Sequence, residues 1–286
     1  MSDKPAAHDA GLRGGLLLDL HSHSLYSGDS RLLPREMVRL ARERGLNGIA
    51  VTDHETVQGG LDARAANDDP CFLVIPGVEY ATEYGHVVGL FLERELDGLP
   101  VRRHPAEHMR VPFQQVVSAI HAQGGLAVLA HPYQNRLTLP DAPFGGAERV
   151  DAIEGFNARA AAVRNPQAND LATAFAQAHG IPALGCSDAH TAAEIGRGRT
   201  RVEGVAPVAD LAVVKEAIRA GRVTPSGVNS PRTVIPLSAA TRMWTSKRWR
   251  RAPTVFLRLL LTSLGRPGLW LENALRGPLR DPNPLP

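Results

Sequence analysis

Two histidines follow the first apolar run of the sequence at a spacing that suits metal binding. The stretch DLHSHSLYSGDS, residues 19–30, comes directly after the leucines at positions 16–18 and contains His21 and His23. On an extended strand, side chains two residues apart point to the same face. A lone histidine near a strand end is more often an ordinary hydrogen-bonded residue than a ligand. The other strand ends therefore decide between the two interpretations.

Acidic residues and histidines recur beside the later apolar runs. In chain order these residues are Asp53, His54, Glu79, His86, His131, Asp188 and His190. Neutral imidazole and carboxylate are ligands that suit zinc, manganese and iron(II). With the first pair they are too many for one such ion, whereas two or three ions bridged by carboxylate and hydroxide would use them all. The sequence therefore predicts a polynuclear metal centre.

The apolar runs alternate with amphipathic segments along most of the chain. Strands are predicted over residues 16–21, 48–52, 72–76, 86–91, 126–130, 152–156 and 181–184. Helices are predicted over 34–45, 112–124, 165–180 and 208–221, and loops over 136–150 and 224–237. This alternation favours an α/β domain with a largely parallel sheet, either open or closed into a barrel. In both architectures the active site lies at the carboxyl ends of the strands.

The composition is that of a globular protein, but the charge is distributed unevenly. From Thr241 onward nine Lys and Arg residues accompany two acidic ones, and all three tryptophans, Trp244, Trp249 and Trp270, lie there. Two widely separated cysteines favour a reducing compartment. The N-terminus lacks the apolar core of a signal peptide, and no apolar run is long enough to span a bilayer. We expect a cytoplasmic protein with a flexible leader over residues 1–15.

The strand-end motifs resemble those of one family. DLHSHSLYSGDS, VTDHET, PGVEYATEYGHVVG, AHPY and GCSDAH are similar, in order, to the successive motifs of the PHP (polymerase and histidinol phosphatase) family over residues 16–200. The resemblance implies a distorted seven-stranded barrel that typically holds three manganese, iron or zinc ions, and phosphoesterase or exonuclease chemistry. We accordingly predict an α/β fold, a PHP-type (β/α)7 barrel over residues 16–235, with a basic, Trp- and Leu-rich helical extension over 236–286.

The resemblance also implies a set of metal ligands. These are His21, His23, His54, Glu79, His86, His131, Asp188 and His190, with Glu79 as the bridging carboxylate. One position departs from the family pattern, because phosphoesterase members often carry an aspartate seven residues past the first histidine, where this chain has Gly28. Either the loop shifts by one residue and presents Asp29, or this ligand is missing and the third ion loses a contact.

Residues beside the ligands are candidates for substrate chemistry. Asp53 is either a general base or an acceptor that orients a neighbouring histidine, and the second role is favoured. Arg197 and Arg199 follow the last ligand pair and are candidates to bind a substrate phosphate through the guanidinium fork. Arg197 is also a candidate catalytic residue. Asn157 and Arg159 end the sixth run and are further candidates for substrate binding.

These features predict a metal-dependent phosphoric ester hydrolase in which a hydroxide shared by two ions attacks a small phosphorylated nucleotide or metabolite. An exonuclease on short oligonucleotides is an alternative that the mildly acidic barrel region disfavours. A non-catalytic, metal-binding accessory or regulatory PHP domain is another, and missing ligands would be its mark. The extension is expected to pack as helices, with an anionic membrane surface or nucleic-acid phosphates as alternative partners.

Overall fold

The strands of the protein form a single twisted sheet. The computed structural model describes residues 15–101, 110–135, 138–139, 149–163, 165–206, 210–247 and 252–263. Within these ranges the sheet has nine strands, in the order β7-β6-β5-β4-β3-β2-β1-β8-β9. Their bounds are β1 (Leu16–Asp19), β2 (Gly48–His54), β3 (Leu73–Thr82), β4 (Gly85–Leu90), β5 (Leu126–Ala130), β6 (Ala152–Asn157), β7 (Ala183–Cys186), β8 (Gly198–Val202) and β9 (Val223–Gly227).

Strand direction brings the ligand candidates to one edge of the sheet. Strands β1, β2 and β3 are parallel, β4 runs antiparallel to β3 and β5, and β5, β6 and β7 are again parallel. The start of β4 therefore lies at the same edge as the carboxyl ends of its neighbours. This direction explains why His86 precedes its apolar run while the other candidates follow theirs.

The sheet curls until its first and last strands meet, which nearly closes a barrel. The Thr200 hydroxyl of β8 donates to the Gly185 carbonyl of β7 at 2.9 Å and accepts from the Gly185 N–H at 3.0 Å. A Cβ at Gly198 would lie 1.9 Å from the carbonyl oxygen of Cys186. Because no side chain fits between backbones at that distance, glycine is required where the barrel closes.

Most of the helices cover the outside of the sheet. Their bounds are α1 (Pro34–Glu43), α2 (Gln58–Ala65), α3 (Phe113–Ala122), α4 (Ala160–Val163), α5 (Ala168–His179), α6 (Leu211–Arg219), α7 (Val234–Thr245) and α8 (Ala252–Ser263), and a 3₁₀ turn spans Leu25–Ser27. Helix α1 begins at a proline and buries Met37, Val38 and Ala41, as its apolar spacing predicts. Inside the barrel, strand residues such as Leu18, Ile75 and Leu184 form a separate buried cluster.

The predicted α/β barrel with C-terminal helices is confirmed, whereas one predicted loop is wrong. Residues 224–237 contain most of β9 and the start of α7. The segment VTPSG has little apolar periodicity and includes Pro225, so it does not read as a strand. The segment is nevertheless a strand, because its backbone pairs with the edge of β8, where proline is tolerated. The leader, except Gly15, and residues 264–286 of the extension lie outside the described residues.

Candidate metal centre

His21 and His23 point their Nε2 atoms at each other at the carboxyl end of β1. Both side chains are fully buried, and the two Nε2 atoms are 3.0 Å apart. The Nδ1 atom of His21 is 2.6 Å from Glu154 Oε1, and Nδ1 of His23 is 2.8 Å from Ser27 Oγ. Each imidazole is therefore held through Nδ1, and Nε2 is left to face the centre of the site.

A hydrogen-bond chain sets the tautomer of His23. The Ser27 hydroxyl donates to Asp53 Oδ1 at 2.6 Å, so it accepts from His23 Nδ1–H. Asp53 also accepts from the backbone N–H and the hydroxyl of Ser24, and is fully buried. Burial and then the nearby His190 and His54 lower the pKa of His23 well below its usual value. His23 is thus a neutral imidazole with a lone pair on Nε2, the form that binds metal.

Glu79 lies at the centre of the histidines. Its Oε1 atom is 2.7 Å from His86 Nδ1 and 3.1 Å from His131 Nε2, and its Oε2 atom is 2.8 Å from His54 Nδ1 and 3.4 Å from His23 Nε2. Burial alone would raise the pKa of Glu79, but neighbouring histidines lower it well below its usual range. An ionised carboxylate with histidines on both oxygens is suited to bridge two cations.

The last ligand pair follows β7 in a strained loop. Asp188 has a φ of 53° and His131 a φ of 29°, a region that residues other than glycine rarely adopt. The Asp188 N–H donates to the His21 carbonyl at 2.9 Å, which holds the loop against the β1 terminus. Asp188 Oδ1 is thereby placed 3.4 Å from Nε2 of His23, and His190 donates through Nδ1 to the Asp188 carbonyl. The strain occurs at two candidate ligands.

The first loop presents Asp29 rather than position 28 to the site. Gly28 ends the 3₁₀ turn with a φ of 75°, so Asp29 points inward and is 1% exposed. Its Oδ2 atom is 3.2 Å from His190 Nε2 and 3.4 Å from His54 Nε2. Burial would raise the pKa of Asp29, but Arg242, His190 and His54 lower it well below its usual value. The structure thus places a carboxylate where a shift of one residue was predicted to put it.

The candidate ligands form three overlapping groups among the described residues. The groups are His23, Asp29, His54 and His190; His21, His23 and Glu79; and Glu79, His86 and His131, each with ligand atoms within 4.8 Å of one another. Asp188 contacts members of all three groups. Asp29 Oδ1 is buried without a hydrogen-bond partner, and burying a polar atom unpaired is costly. Shared ligands, the neutral imidazole of His23 and an unpaired carboxylate oxygen fit divalent cations.

Glu154 is a candidate site residue that was not predicted from the sequence. It lies inside β6, is 1% exposed, and its Oε2 atom accepts from the His131 N–H at 2.8 Å and from Asn157 Nδ2 at 2.7 Å. Its Oε1 atom holds His21. The available signal was an acidic residue within the otherwise apolar run of residues 152–156. Asn157, predicted to bind substrate, instead supports Glu154 and caps α4 through Oδ1.

The two arginines predicted to bind phosphate are engaged by backbone carbonyls. Arg197 donates to the carbonyls of Ala193 and Asn229 in an exposed position, and Arg199 donates to the Gly196 carbonyl. Neither lines the cavity above the ligands. Because β8 pairs antiparallel with β1, the backbone of these residues lies near the site's edge, but their side chains are hydrogen-bonded elsewhere. Their placement therefore gives no support to the roles predicted for them.

A cavity of about 620 Å³ opens above the ligands. Candidate ligands form its floor, Arg159 lies in its wall, and residues of α7 and α8 such as Ser238, Arg242 and Val255 form the opposite side. Arg159 is 5% exposed, donates through Nη2 to Ser238 Oγ at 2.7 Å and lies 3.4 Å from Glu194 Oε2. A small molecule in this cavity would meet cationic side chains above and the ligand cluster below.

Family models match two parts of the chain. The model described as the PHP domain matches residues 19–137, and a model described as PHP-associated matches residues 166–223. An uncharacterized protein of Methanocaldococcus jannaschii is 32% identical over 151 residues, which are 49% of this chain and 81% of that relative. A 5'-3' exoribonuclease of Haemophilus influenzae is 38% identical over 80 residues, which are 27% of this chain and 29% of that enzyme.

Two solved structures share the fold. A two-domain protein of Bacteroides vulgatus, which contains a predicted PHP-like metal-dependent phosphoesterase, superposes with a TM-score of 0.53 at 20% identity over 74% of this chain and 65% of its own. A predicted metal-dependent phosphoesterase of Bifidobacterium adolescentis has a TM-score of 0.51 at 19% identity over 76% and 98%. In the part of the chain that the structure describes, no helix is long and apolar enough to cross a membrane.

Proposed function

The chain belongs to the PHP family, and from that premise we propose that it is a metal-dependent phosphoesterase acting on a small phosphate ester. The observation that carries the proposal is the position of Glu79, whose two carboxylate oxygens together lie within 3.6 Å of five histidine side chains. Such a carboxylate can join two cations in one centre. Manganese, iron and zinc are the metals we propose, in a set of two or three.

The chain's own residues would position both the cations and the ester. Divalent cations bound at the ligand groups would supply an activated water as nucleophile and positive charge for the phosphate oxygens. Glu154 and Ser27 keep the Nε2 atoms of His21 and His23 directed at that centre, and the backbone bond from Asp188 to His21 keeps the two strand ends together. The protein's main catalytic work is thus coordination and positioning.

The size of the cavity favours a small substrate. A volume of about 620 Å³ is within the range of small-molecule sites, and two helices, α7 and α8, line one side of it. The chain outside the extension has a net negative charge, which does not favour binding to the phosphate backbone of a long nucleic acid. We therefore propose a phosphorylated nucleotide or metabolite as the substrate class.

Exonuclease activity on short oligonucleotides is the second candidate. Its support is the similarity to the Haemophilus influenzae exoribonuclease, which covers 80 residues of this chain. The matching segment is less than a third of that enzyme, so its activity does not transfer directly. A terminal nucleotide and a small phosphate ester offer the same phosphate chemistry to the ligand cluster. The choice between them depends on what fits under α7 and α8.

Phosphate release across a substrate panel tests the proposal. Metal-stripped protein, reloaded with manganese, would be assayed on nucleoside mono- and bisphosphates, sugar phosphates, histidinol phosphate, a short oligonucleotide and a chromogenic ester. We expect turnover of one class, abolished by chelation and by Asp188→Ala, and kept in the control Asp68→Ala, which removes an exposed surface carboxylate. No turnover on any ester with metal bound, or full activity of Asp188→Ala, would refute the proposal. Absence of turnover with metal bound would favour a regulatory role.

A cytoplasmic location also remains our proposal. Both cysteines are unpaired, Cys71 at the surface and Cys186 in the barrel interior, which is consistent with a reducing compartment. Helix α7, which leads into the extension, packs on the barrel, because Val234 and Ile235 at its start are buried beside Ala162. Further contacts of the extension with a membrane surface or nucleic acid stay predictions.

A further inference from the structure

We propose that Arg242, on helix α7 of the C-terminal extension, binds the phosphate group of the substrate. The inference rests on the proposed function, because it assigns a role within the same site. Helix α7 follows the residues matched by the two family models, which end at residue 223. The residue would therefore be a feature of this chain's extension and would act on substrate bound at the ligand cluster of the barrel.

Helix α7 is anchored across the mouth of the site. Near its start, Ser238 accepts a hydrogen bond from Arg159, and at its end the Thr245 hydroxyl donates to the Gly28 carbonyl of the first ligand loop. Ile235, Ser238, Ala239 and Arg242 all line the cavity, at the three- and four-residue spacing of one helix face. These contacts hold the face that carries Arg242 over the ligands.

The guanidinium of Arg242 is already at the ligand cluster. Its Nη2 atom donates to Asp29 Oδ2 and lies 3.5 Å from His54 Nε2. Both neighbours belong to one candidate ligand group. A cationic group beside two ligands of one cation site is close enough to donate to the oxygens of a phosphate bound at that site. Arginine suits that position because its planar fork matches phosphate through two parallel hydrogen bonds.

Arg242 also has guanidinium N–H groups beyond those that contact Asp29 and His54. In the part of the chain that the structure describes, its side-chain hydrogen bonds are made through Nη2 and the residue lines the cavity, so Nε and Nη1 are available to an anion bound there. Arg159, another arginine in the wall, is instead engaged by Ser238 and Glu194. Once Asp29 shares its charge with a cation, its hold on Arg242 weakens and an anionic substrate becomes the better partner. Asp29 and phosphate thus compete for the same guanidinium.

Three variants and two readouts test the assignment. Arg242→Met removes the charge with little change in length, Arg242→Lys keeps the charge but not the fork, and Lys247→Met removes an exposed charge two residues after α7 that does not line the cavity. The first readout is KM and kcat for the best ester of the panel. The second is binding of inorganic phosphate to the manganese-loaded protein by calorimetry, with metal content measured in parallel.

We expect Arg242→Met to raise KM and the dissociation constant of phosphate by about tenfold to a hundredfold, as loss of a charged hydrogen-bond pair predicts. Arg242→Lys should give intermediate values of KM and of the phosphate dissociation constant, and Lys247→Met should give wild-type values. The metal content of all three variants should equal that of the wild type. Unchanged KM and phosphate binding in Arg242→Met would overturn the inference, as would loss of metal in proportion to activity, which would make Arg242 a support for Asp29. If no ester is hydrolysed, the proposed function fails, while the phosphate-binding comparison still decides the role of Arg242.

Discussion

Replacing Glu154 by glutamine tests how the protein sets the tautomer of His21. In the structure, Glu154 Oε2 accepts from the His131 N–H and from Asn157, and Oε1 accepts from His21 Nδ1. The glutamine carbonyl can keep the first two hydrogen bonds. Its amide N–H group then faces His21 and can only donate, so Nδ1 must become the acceptor. The imidazole proton moves to Nε2, the atom that a cation needs free.

The size of the effect follows from the number of contacts that change. Two of the three hydrogen bonds survive in Glu154→Gln, and the third, at 2.6 Å, is reversed rather than lost. We therefore expect the folded state to persist. Removing the partner of a metal-binding histidine typically weakens metal affinity or activity about tenfold to a hundredfold. That range corresponds to about 1.4 to 2.8 kcal/mol of binding free energy.

A manganese titration of the apoprotein measures this effect directly. Wild type, Glu154→Gln and the control Glu43→Gln, which removes an exposed charge paired with Arg39, would be compared by metal affinity and by phosphate release at increasing manganese. Activity of Glu154→Gln should be partly restored at high manganese, because the ligands themselves remain. Thermal unfolding in the presence of chelator separates a loss of metal affinity from a loss of fold.

Wild-type metal affinity and activity in Glu154→Gln would refute the tautomer argument. The hydrogen bond between Glu154 and His21 would then contribute only to packing. A large fall in the unfolding temperature without metal would refute the expectation that the two remaining hydrogen bonds suffice. Both outcomes are separable from failure of the proposed reaction, since metal affinity does not depend on the substrate.

Three further predictions concern the ligands, the thiols and the barrel closure. Asp29→Asn should lower the metal content of purified protein by about one ion per chain, because the cation site that Asp29 forms with His190 loses a ligand. Elemental analysis that finds an unchanged metal content would count against this prediction. Cys71 is exposed, whereas burial raises the pKa of the Cys186 thiol well above its usual value. A thiol reagent should therefore label only Cys71 in the native protein and both residues after unfolding. Rapid labelling of both cysteines in the native protein would contradict this expectation. Gly198→Ala would place a Cβ 1.9 Å from a neighbouring carbonyl oxygen and should lower the free energy of unfolding by about 3 kcal/mol or more. An unchanged denaturation midpoint would contradict the close approach of β7 and β8 at the barrel closure.

Much of the candidate metal centre was predictable because each ligand lies beside its own apolar run. His54 and His131, for example, lie within two residues of the ends of predicted strands, and a parallel sheet brings such ends to one edge. His86 was identified although its run is reversed, and the antiparallel direction of β4 accounts for that exception. Local patterns were sufficient for these residues because strand identity and strand end are both local properties.

Other residues depend on contacts that no local pattern contains. Glu154 is 133 residues from His21 in the chain, and Arg242 is 213 residues from Asp29, yet both pairs are in hydrogen-bond contact. The periodicity of β6 and α7 indicates a strand and a helix, but not which strand end or loop each one faces. Arg197 illustrates the opposite case, since it is near the ligands in sequence while its side chain donates to the Asn229 carbonyl and does not line the cavity.

The sequence by itself determined the α/β class, the family resemblance and the set of histidines and acids at the strand ends. Hydrophobic periodicity and ligand type are properties of short stretches of sequence, so they can be identified without the fold. Only the tertiary structure decided that Asp29 enters the site, that Glu154 orients His21 and that α7 places Arg242 over the ligands. Those arrangements come from the curvature of a closing sheet and from a helix packed across its mouth, which depend on contacts between segments far apart in the chain.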